Sequence, residues 1–229
     1  GLFEESSTQK GNVGAERRLE DGRAFRYAYF AAAANPGLLV STDISATSVV
    51  EIDGKCTAAS AGATEVTITD STTLGSATAD QYAGGYLHIT DDAGEGHQYR
   101  IRGNTAASSN AVDFTLYDGI IVALTSASDV AITGYPYNNV RGATAGTDYI
   151  MSGVTVMSVT ANYYAWVQTR GVATVLSGGA VAIGANLTLS DGVAGEVQLK
   201  DAETEPLVGF ALFASDDTGH VGVKLYGLD

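Results

Sequence analysis

Ala165-Trp166-Val167-Gln168-Thr169, Asn186-Leu187-Thr188-Leu189 and Leu207-Val208-Gly209-Phe210-Ala211-Leu212 fall within the stretch Tyr163 to Gly227, where glycine-rich turns separate them. Runs of this length, rich in apolar and β-branched residues and bounded by turn residues, read as strands. Thr155 to Thr160, Gly171 to Leu176, Glu196 to Leu199 and Val221 to Tyr226 extend the pattern, with turns at Gly178-Gly179 and Asp216 to Gly219. Residues 146–229 are therefore expected to form a small C-terminal module of β-barrel or β-tulip-like form.

Upstream, residues 63–140 carry the clearest alternation. Glu65 to Thr69 (EVTIT), Tyr86 to Thr90 (YLHIT), Gln98 to Arg102 (QYRIR) and Val112 to Tyr117 (VDFTLY) each place apolar side chains two apart. One face of each strand then packs while the other meets water, the mark of antiparallel pairing. This region is expected to be an inserted, antiparallel, β-sandwich-like domain. Only Ala77 to Ala83 has helical character, and it is short. Ile68-Thr69-Asp70, Ile89-Thr90-Asp91, Leu116-Tyr117-Asp118 and Leu189-Ser190-Asp191 each end a strand on an Asp. The short carboxylate accepts backbone hydrogen bonds just beyond itself and so starts a turn.

Residues 25–62 supply strands that join the base module. In Arg23 to Ala34 (RAFRYAYFAAAA), Phe25, Tyr27 and Tyr29 alternate with Ala24, Arg26 and Ala28. That period of two outweighs the helix preference of alanine, so a strand is expected, broken at Asn35-Pro36-Gly37. Leu38 to Val40 and Ser48 to Ile52 are further short strands, the latter closed by Asp53-Gly54. Residues 1–24 are polar, lack an amphipathic period and are read as an extended N-terminal arm ending at the Asp21-Gly22 turn. Such a segment is ordered only when something holds it. The holder is either its own body or a neighbouring chain, and an assembly favours the second.

The chain of 229 residues has a formal net charge of −14. Within the first 26 residues, Lys10, Arg17, Arg18, Arg23 and Arg26 are balanced by Glu4, Glu5, Glu16, Glu20 and Asp21, so all the excess acid lies in the rest. An acidic body repels phosphate backbones, which argues against nucleic acid as a partner. It also keeps a crowded protein soluble. No run approaches the roughly 18 apolar residues of a membrane helix, so no membrane partner is expected. The start Gly1-Leu2-Phe3-Glu4-Glu5 lacks a cationic region followed by an apolar one, and no secretory signal is expected. A single cysteine, Cys56, excludes an intrachain disulfide and reads as a buried or half-buried thiol.

Candidates for chemistry are few. The three histidines, His88, His97 and His220, show no metal-ligand spacing. Asp91-Asp92-Ala93-Gly94-Glu95-Gly96 concentrates oxygens but lacks the spacing of a calcium loop, so a hairpin turn accounts for it. No phosphate-binding glycine loop is present. No two of the acids stand out as a glycosidase pair, and neither catalysis nor a cofactor is expected. Tyrosine is frequent, 12 residues against 6 Phe. Exposed members among Tyr82, Tyr86, Tyr135, Tyr137, Tyr163 and Tyr164 are candidates for sugar stacking or a protein interface.

Ala15-Glu16-Arg17-Arg18-Leu19-Glu20-Asp21-Gly22-Arg23-Ala24-Phe25-Arg26-Tyr27-Ala28 resembles the opening of structural proteins of tailed-phage virions, in which a polar arm leads into an aromatic strand. Val172 to Leu225, with Pro206-Leu207-Val208-Gly209-Phe210-Ala211 and Gly222-Val223-Lys224-Leu225, resembles the small β-modules of the head decoration (cement) proteins of tailed phages. Tyr82-Ala83-Gly84-Gly85-Tyr86-Leu87 and Gly94 to Ile101 look like a domain inserted into such proteins. The resemblance implies a location on the outer surface of a virion capsid, the major capsid protein as partner, and a homotrimer as the attached form. It also implies docking through the arm, for which Arg17, Arg18, Arg23, Phe25, Arg26 and Tyr27 are the candidates. The alternative is a tail or fibre module that binds host glycans through tyrosines of the middle domain, Tyr82 and Tyr86 first.

Overall fold

The structure is a computed structural model that describes residues 1–42, 49–52, 56–69, 74–145 and 150–228. The expected turn at Asp53-Gly54, the strand end at Asp70 and the module start near Gly146 lie outside the described residues. Among those residues there are sixteen strands and no helix, so the chain is all-β. It divides into two compact units, Gly1–Asp43 with Pro136–Asp229, and Ile44–Tyr135.

The first unit holds β1 (Glu16–Arg18), β2 (Ala24–Phe30), β3 (Leu39–Thr42), β10 (Val140–Gly142), β11 (Met151–Thr155), β12 (Tyr163–Ser177), β13 (Asn186–Leu189), β14 (Val197–Leu199), β15 (Gly209–Ala211) and β16 (Gly219–Leu225). Hydrogen-bonded neighbours run β1-β2-β10-β3-β11-β12-β14-β13-β15-β16, and the further pairings β2–β12 and β12–β16 close this order twice. One five-stranded ring is β2, β10, β3, β11 and β12. The other is β12, β14, β13, β15 and β16.

β12 belongs to both rings. Its first half pairs with β2, from Tyr163 opposite Phe30 to Arg170 opposite Ala24. Its second half pairs with β16, from Gly171 opposite Leu225 to Ser177 opposite Gly219. At the changeover the register slips between Gln168 and Arg170, and Gly171 adopts φ +89°. A side chain there would put Cβ 2.8 Å from Arg23 Cγ and 2.9 Å from Arg23 Cα. The buried Gln168 holds the bend, its Nε2 donating to the carbonyls of Arg170 (2.9 Å) and Val172 (2.8 Å). The sequence predicts two strands here, Tyr164 to Thr169 and Gly171 to Leu176. They are one, because Gly171 bends the chain without ending the ladder.

The first ring is filled from one face of the β2–β12 pair by Ala28, Phe30, Ala165 and Val167, all fully buried. Val175, Leu187, Val197, Val221 and Val223 fill the second. Each such aliphatic side chain contributes about 1.5–3 kcal/mol by leaving water. The strand expected over Thr155 to Thr160 lies instead at Met151–Thr155. Thr155 ends it, donating from Oγ1 to Asn35 O (2.6 Å) and accepting from Leu38 N (2.9 Å). Val159 then makes an isolated bridge with Ala34.

The second unit holds β4 (Val49–Ile52), β5 (Glu65–Thr69), β6 (Tyr86–Asp91), β7 (Gln98–Asn104), β8 (Ala111–Leu116) and β9 (Asp129–Thr133), in the antiparallel order β4-β9-β6-β7-β8-β5. β7 also changes partners midway. Gln98, Tyr99 and Arg100 oppose β6, and from Ile101 the strand opposes β8, with a register shift between Ile101 and Gly103. The alternation of β7 leaves Tyr99 and Ile101 buried between exposed neighbours, packed in one cluster with Tyr82, Leu87 and Phe114. Ala77 to Ala83 forms successive turns, with Ala77 N bonded to Leu74 O and Ala83 N to Asp80 O.

β4 pairs with β9, from Val49 opposite Thr133 to Ile52 opposite Val130, so this strand belongs to the second unit rather than to the base. β10 belongs to the base. The compact unit thus runs from 44 to 135 where the sequence places the insert at 63–140. The chain leaves the base and re-enters it at neighbouring points: Thr42 opposes Val140, and Thr42 Oγ1 donates to Asn138 O at 2.7 Å.

Two outcomes follow from this architecture. Gly171→Ala forces a left-handed backbone on a side chain that also meets Arg23, and should cost about 2 kcal/mol or more in denaturant unfolding. Replacing residues 44–135 with a short Gly-Ser linker should leave a base that still melts cooperatively with a β-type circular dichroism spectrum, because no ring loses a strand.

Candidate functional site

Residues 1–19 lie against the first ring of their own chain. Ser6 exchanges both backbone bonds with Tyr164, at 3.0 and 2.8 Å. Glu5 takes bonds from Thr160 N (2.6 Å) and Thr160 Oγ1 (2.9 Å). Gly14 N donates to Tyr27 O (2.7 Å), Tyr27 N to Ala15 O (3.0 Å), and Lys10 N to the Tyr27 hydroxyl (3.1 Å). Of the two holders the sequence allowed, the favoured neighbouring chain is not needed: the arm is held by its own body, and its partners at residues 160 and 164 lie too far along the sequence for local patterning to reveal them.

What the arm covers is an aromatic face. Tyr27 opposes Trp166 and Tyr29 opposes Tyr164, so the four rings stand on one side of the β2–β12 pair. Ring centroids are 5.3 Å apart for Tyr27–Trp166, 5.8 Å for Tyr27–Tyr164 and 4.9 Å for Tyr29–Tyr164. These are distances at which aromatic pairs attract. Burial, reinforced by the neighbouring Tyr29 and Tyr27 hydroxyls, raises the Tyr164 hydroxyl above its usual pKa. Between the arm and this face lies a cavity of about 220 Å³ walled in part by Glu4, Glu5, Lys10, Tyr27, Tyr164 and Trp166.

β1 forms the other side of the arm's grip. It pairs antiparallel with β2, Arg17 opposite Phe25 and Arg18 opposite Ala24, across the turn at Asp21-Gly22. Gly22 sits at φ +84°, and both Asp21 oxygens bind Arg23, one through the backbone N (3.0 Å) and one through Nε (2.8 Å). The backbone bond first, then the guanidinium, lowers the Asp21 pKa. Ala15 and Leu19 bond inward to Tyr27 and Arg23. In an antiparallel ladder inward and outward residues alternate. Arg17 therefore bonds inward, and the backbone groups of Glu16 and Arg18 face away from β2. Among the described strands of this unit, β1 alone has a single partner.

The six expected docking residues separate into two groups. Phe25 is completely buried and Tyr27 is 5% exposed, so their rings already pack within this chain and offer no face to a capsid. Arg23 stands 5.7 Å over the Phe25 ring and Arg26 5.7 Å over Tyr137; both are half-buried. Glu16 pairs with Arg18 and, at 3.5 Å, with Arg26. Exposed pairs of this kind contribute at most about 1 kcal/mol. Arg17 and Arg18 are exposed on the free strand. Arg17 makes no ion pair among the described residues.

The remaining candidates have structural roles. Tyr82, first choice for glycan stacking, is completely buried against Phe114, and Tyr137 is 6% exposed. Tyr86, Tyr135, Tyr163 and Tyr164 are half-buried. His88 bonds Thr133 Oγ1 (3.0 Å), His97 the Gly94 carbonyl (2.9 Å), and His220 reaches Pro36 O at 3.4 Å. In the Asp91 to Gly96 hairpin, Asp91 and Asp92 each accept the next backbone N–H, at 2.8 and 2.6 Å. No cluster of three metal-ligating side chains occurs among the described residues. No known family model, curated protein or solved structure matches the chain.

Cys56 is 3% exposed, and burial pushes its thiol from 9.0 to about 11. The thiolate is the reactive form. Ellman's reagent at pH 7.5 should label Cys56 only after unfolding. The folded state holds this proton more tightly than the unfolded one, so the stability it confers is complete below pH 9 and should fade as pH rises towards 11. Cys56→Ala should flatten that part of the stability profile.

Proposed function

We propose that this chain is a structural virion protein that attaches to the outer surface of a phage capsid and stabilises it, with the major capsid protein as its partner and a homotrimer as its attached form. The observation that carries this reading is the open edge of β1. In a unit whose other described strands all have at least two partners, one short strand offers unpaired backbone groups beside two exposed arginines. An open edge accepts a strand from another chain by main-chain hydrogen bonds. Its brevity and its charges, Glu16, Arg17 and Arg18, keep it from pairing indiscriminately. A partner strand must bring carboxylates to Arg17 and Arg18 to match it.

The acidic remainder supports the same reading, since it keeps a densely displayed protein soluble and discourages contact with packaged nucleic acid. Docking by strand addition replaces docking by aromatic burial, because Phe25 and Tyr27 already pack internally. Modest affinity per copy suffices, as several linked contacts per trimer multiply it.

Cosedimentation with capsids assembled from the major capsid protein tests this. Arg18→Pro removes an outward N–H and should lower binding more than tenfold, about 1.4 kcal/mol or more. Arg18→Ala keeps that N–H and should lose less. Wild-type binding by Arg18→Pro would rule out the edge, and electron microscopy of intact particles showing the protein anywhere but the outer capsid surface would rule out the function.

A further inference from the structure

We propose that the cavity between the arm and the aromatic face is a binding site for a single neutral sugar ring. It stands apart from the open edge of β1, so this inference does not depend on the docking role.

Size comes first. About 220 Å³ is below the range of drug-sized sites, about 300–1,000 Å³, and suits one ring rather than an extended ligand. Three of the ten residues in its wall are aromatic. Tyr27, Tyr164 and Trp166 supply flat apolar surface, and pockets of this kind bind through such surface with a few polar groups for orientation.

The polar groups decide between ligand classes. The hydroxyl of Tyr27 accepts from Lys10 N, but among the described residues no hydrogen bond is donated by that hydroxyl, by the Tyr164 hydroxyl or by the Trp166 indole N–H. Lys10 adds a cationic donor. Acceptors are present as well: Glu4, whose carboxylate takes the Gly1 amine at 2.5 Å, and Glu5, held by Thr160. A cationic ligand group cannot accept a hydrogen bond, so it would face Lys10 and leave the aromatic donors without partners. An anionic one would face two carboxylates. A ring bearing hydroxyls both donates and accepts, and it carries an apolar face for stacking.

Trp166 is the sole tryptophan, so its emission reports on this cavity without labelling. Titration of the whole chain with methyl α-glucoside, methyl α-mannoside, methyl β-galactoside and N-acetylglucosamine should give a saturable emission change with at least one. Tetramethylammonium chloride should give none. Tyr164→Ala should weaken binding about tenfold or more, the factor equal to 1.4 kcal/mol. Glu4→Gln, an exposed change that leaves the fold intact, should weaken it less. The proposal is overturned if no sugar gives a saturable change up to about 100 mM. A response to tetramethylammonium alone overturns it in favour of a cation cage, and a sugar response that survives both substitutions overturns the location.

Discussion

Two rings that share one strand depend on that strand passing from one ladder to the other without interruption. β12 does this at a single residue, Gly171, whose φ of +89° and lack of a side chain let the chain turn past Arg23. Backbone groups at such a corner lose their regular partners, and the buried amide of Gln168 supplies substitutes for two carbonyls. Ring closure then removes every strand edge except that of β1 among the described strands of the base unit. Closed rings are poor partners for aggregation, and whatever strand pairing the base unit offers to others is confined to three residues.

The order of the N-terminal arm has the same origin. A polar segment has no core of its own to bury and is held only by directional bonds to a surface already rigid. The β2–β12 pair is that surface. It presents Tyr27, Tyr29, Tyr164 and Trp166 on one face while Ala28, Phe30, Ala165 and Val167 fill the other. The arm covers part of the aromatic face with backbone bonds at Ser6, Lys10 and Gly14. Because the cover is polar chain rather than packed apolar side chains, a cavity persists beneath it.

The all-β class and most strands were legible from period-two alternation alone, since a half-buried strand writes its burial directly into the sequence. Gln98 to Arg102 and Glu65 to Thr69 read correctly for that reason. Ring membership was not legible. Nothing local distinguishes Val49 to Ile52, which pair with β9, from Leu39 to Thr42, which pair with β10 and β11. The exposure of the expected docking residues was half legible. Charge identified Arg17 and Arg18 as surface groups, but an aromatic residue on a strand looks the same whether its ring meets a partner or its own arm. Phe25 and Tyr27 proved to be the latter. Tyr82 was misleading for a similar reason: it was a candidate for sugar stacking, while its ring is core.

The second unit enters the first at a seam that needs no help from it. Thr42 and Val140 oppose one another within the ring, and Thr42 Oγ1 bonds Asn138 O, so the two points of connection are fixed by the base. Closing a longer loop between fixed ends adds only about 0.6 kcal/mol per doubling of its length. The insert in turn has its own cluster, from Cys56 to Ile132, and its own six-stranded order. Each unit therefore folds around contacts that the other does not supply. A surface borne by the insert is free to change without disturbing the strand edge and the aromatic face of the base.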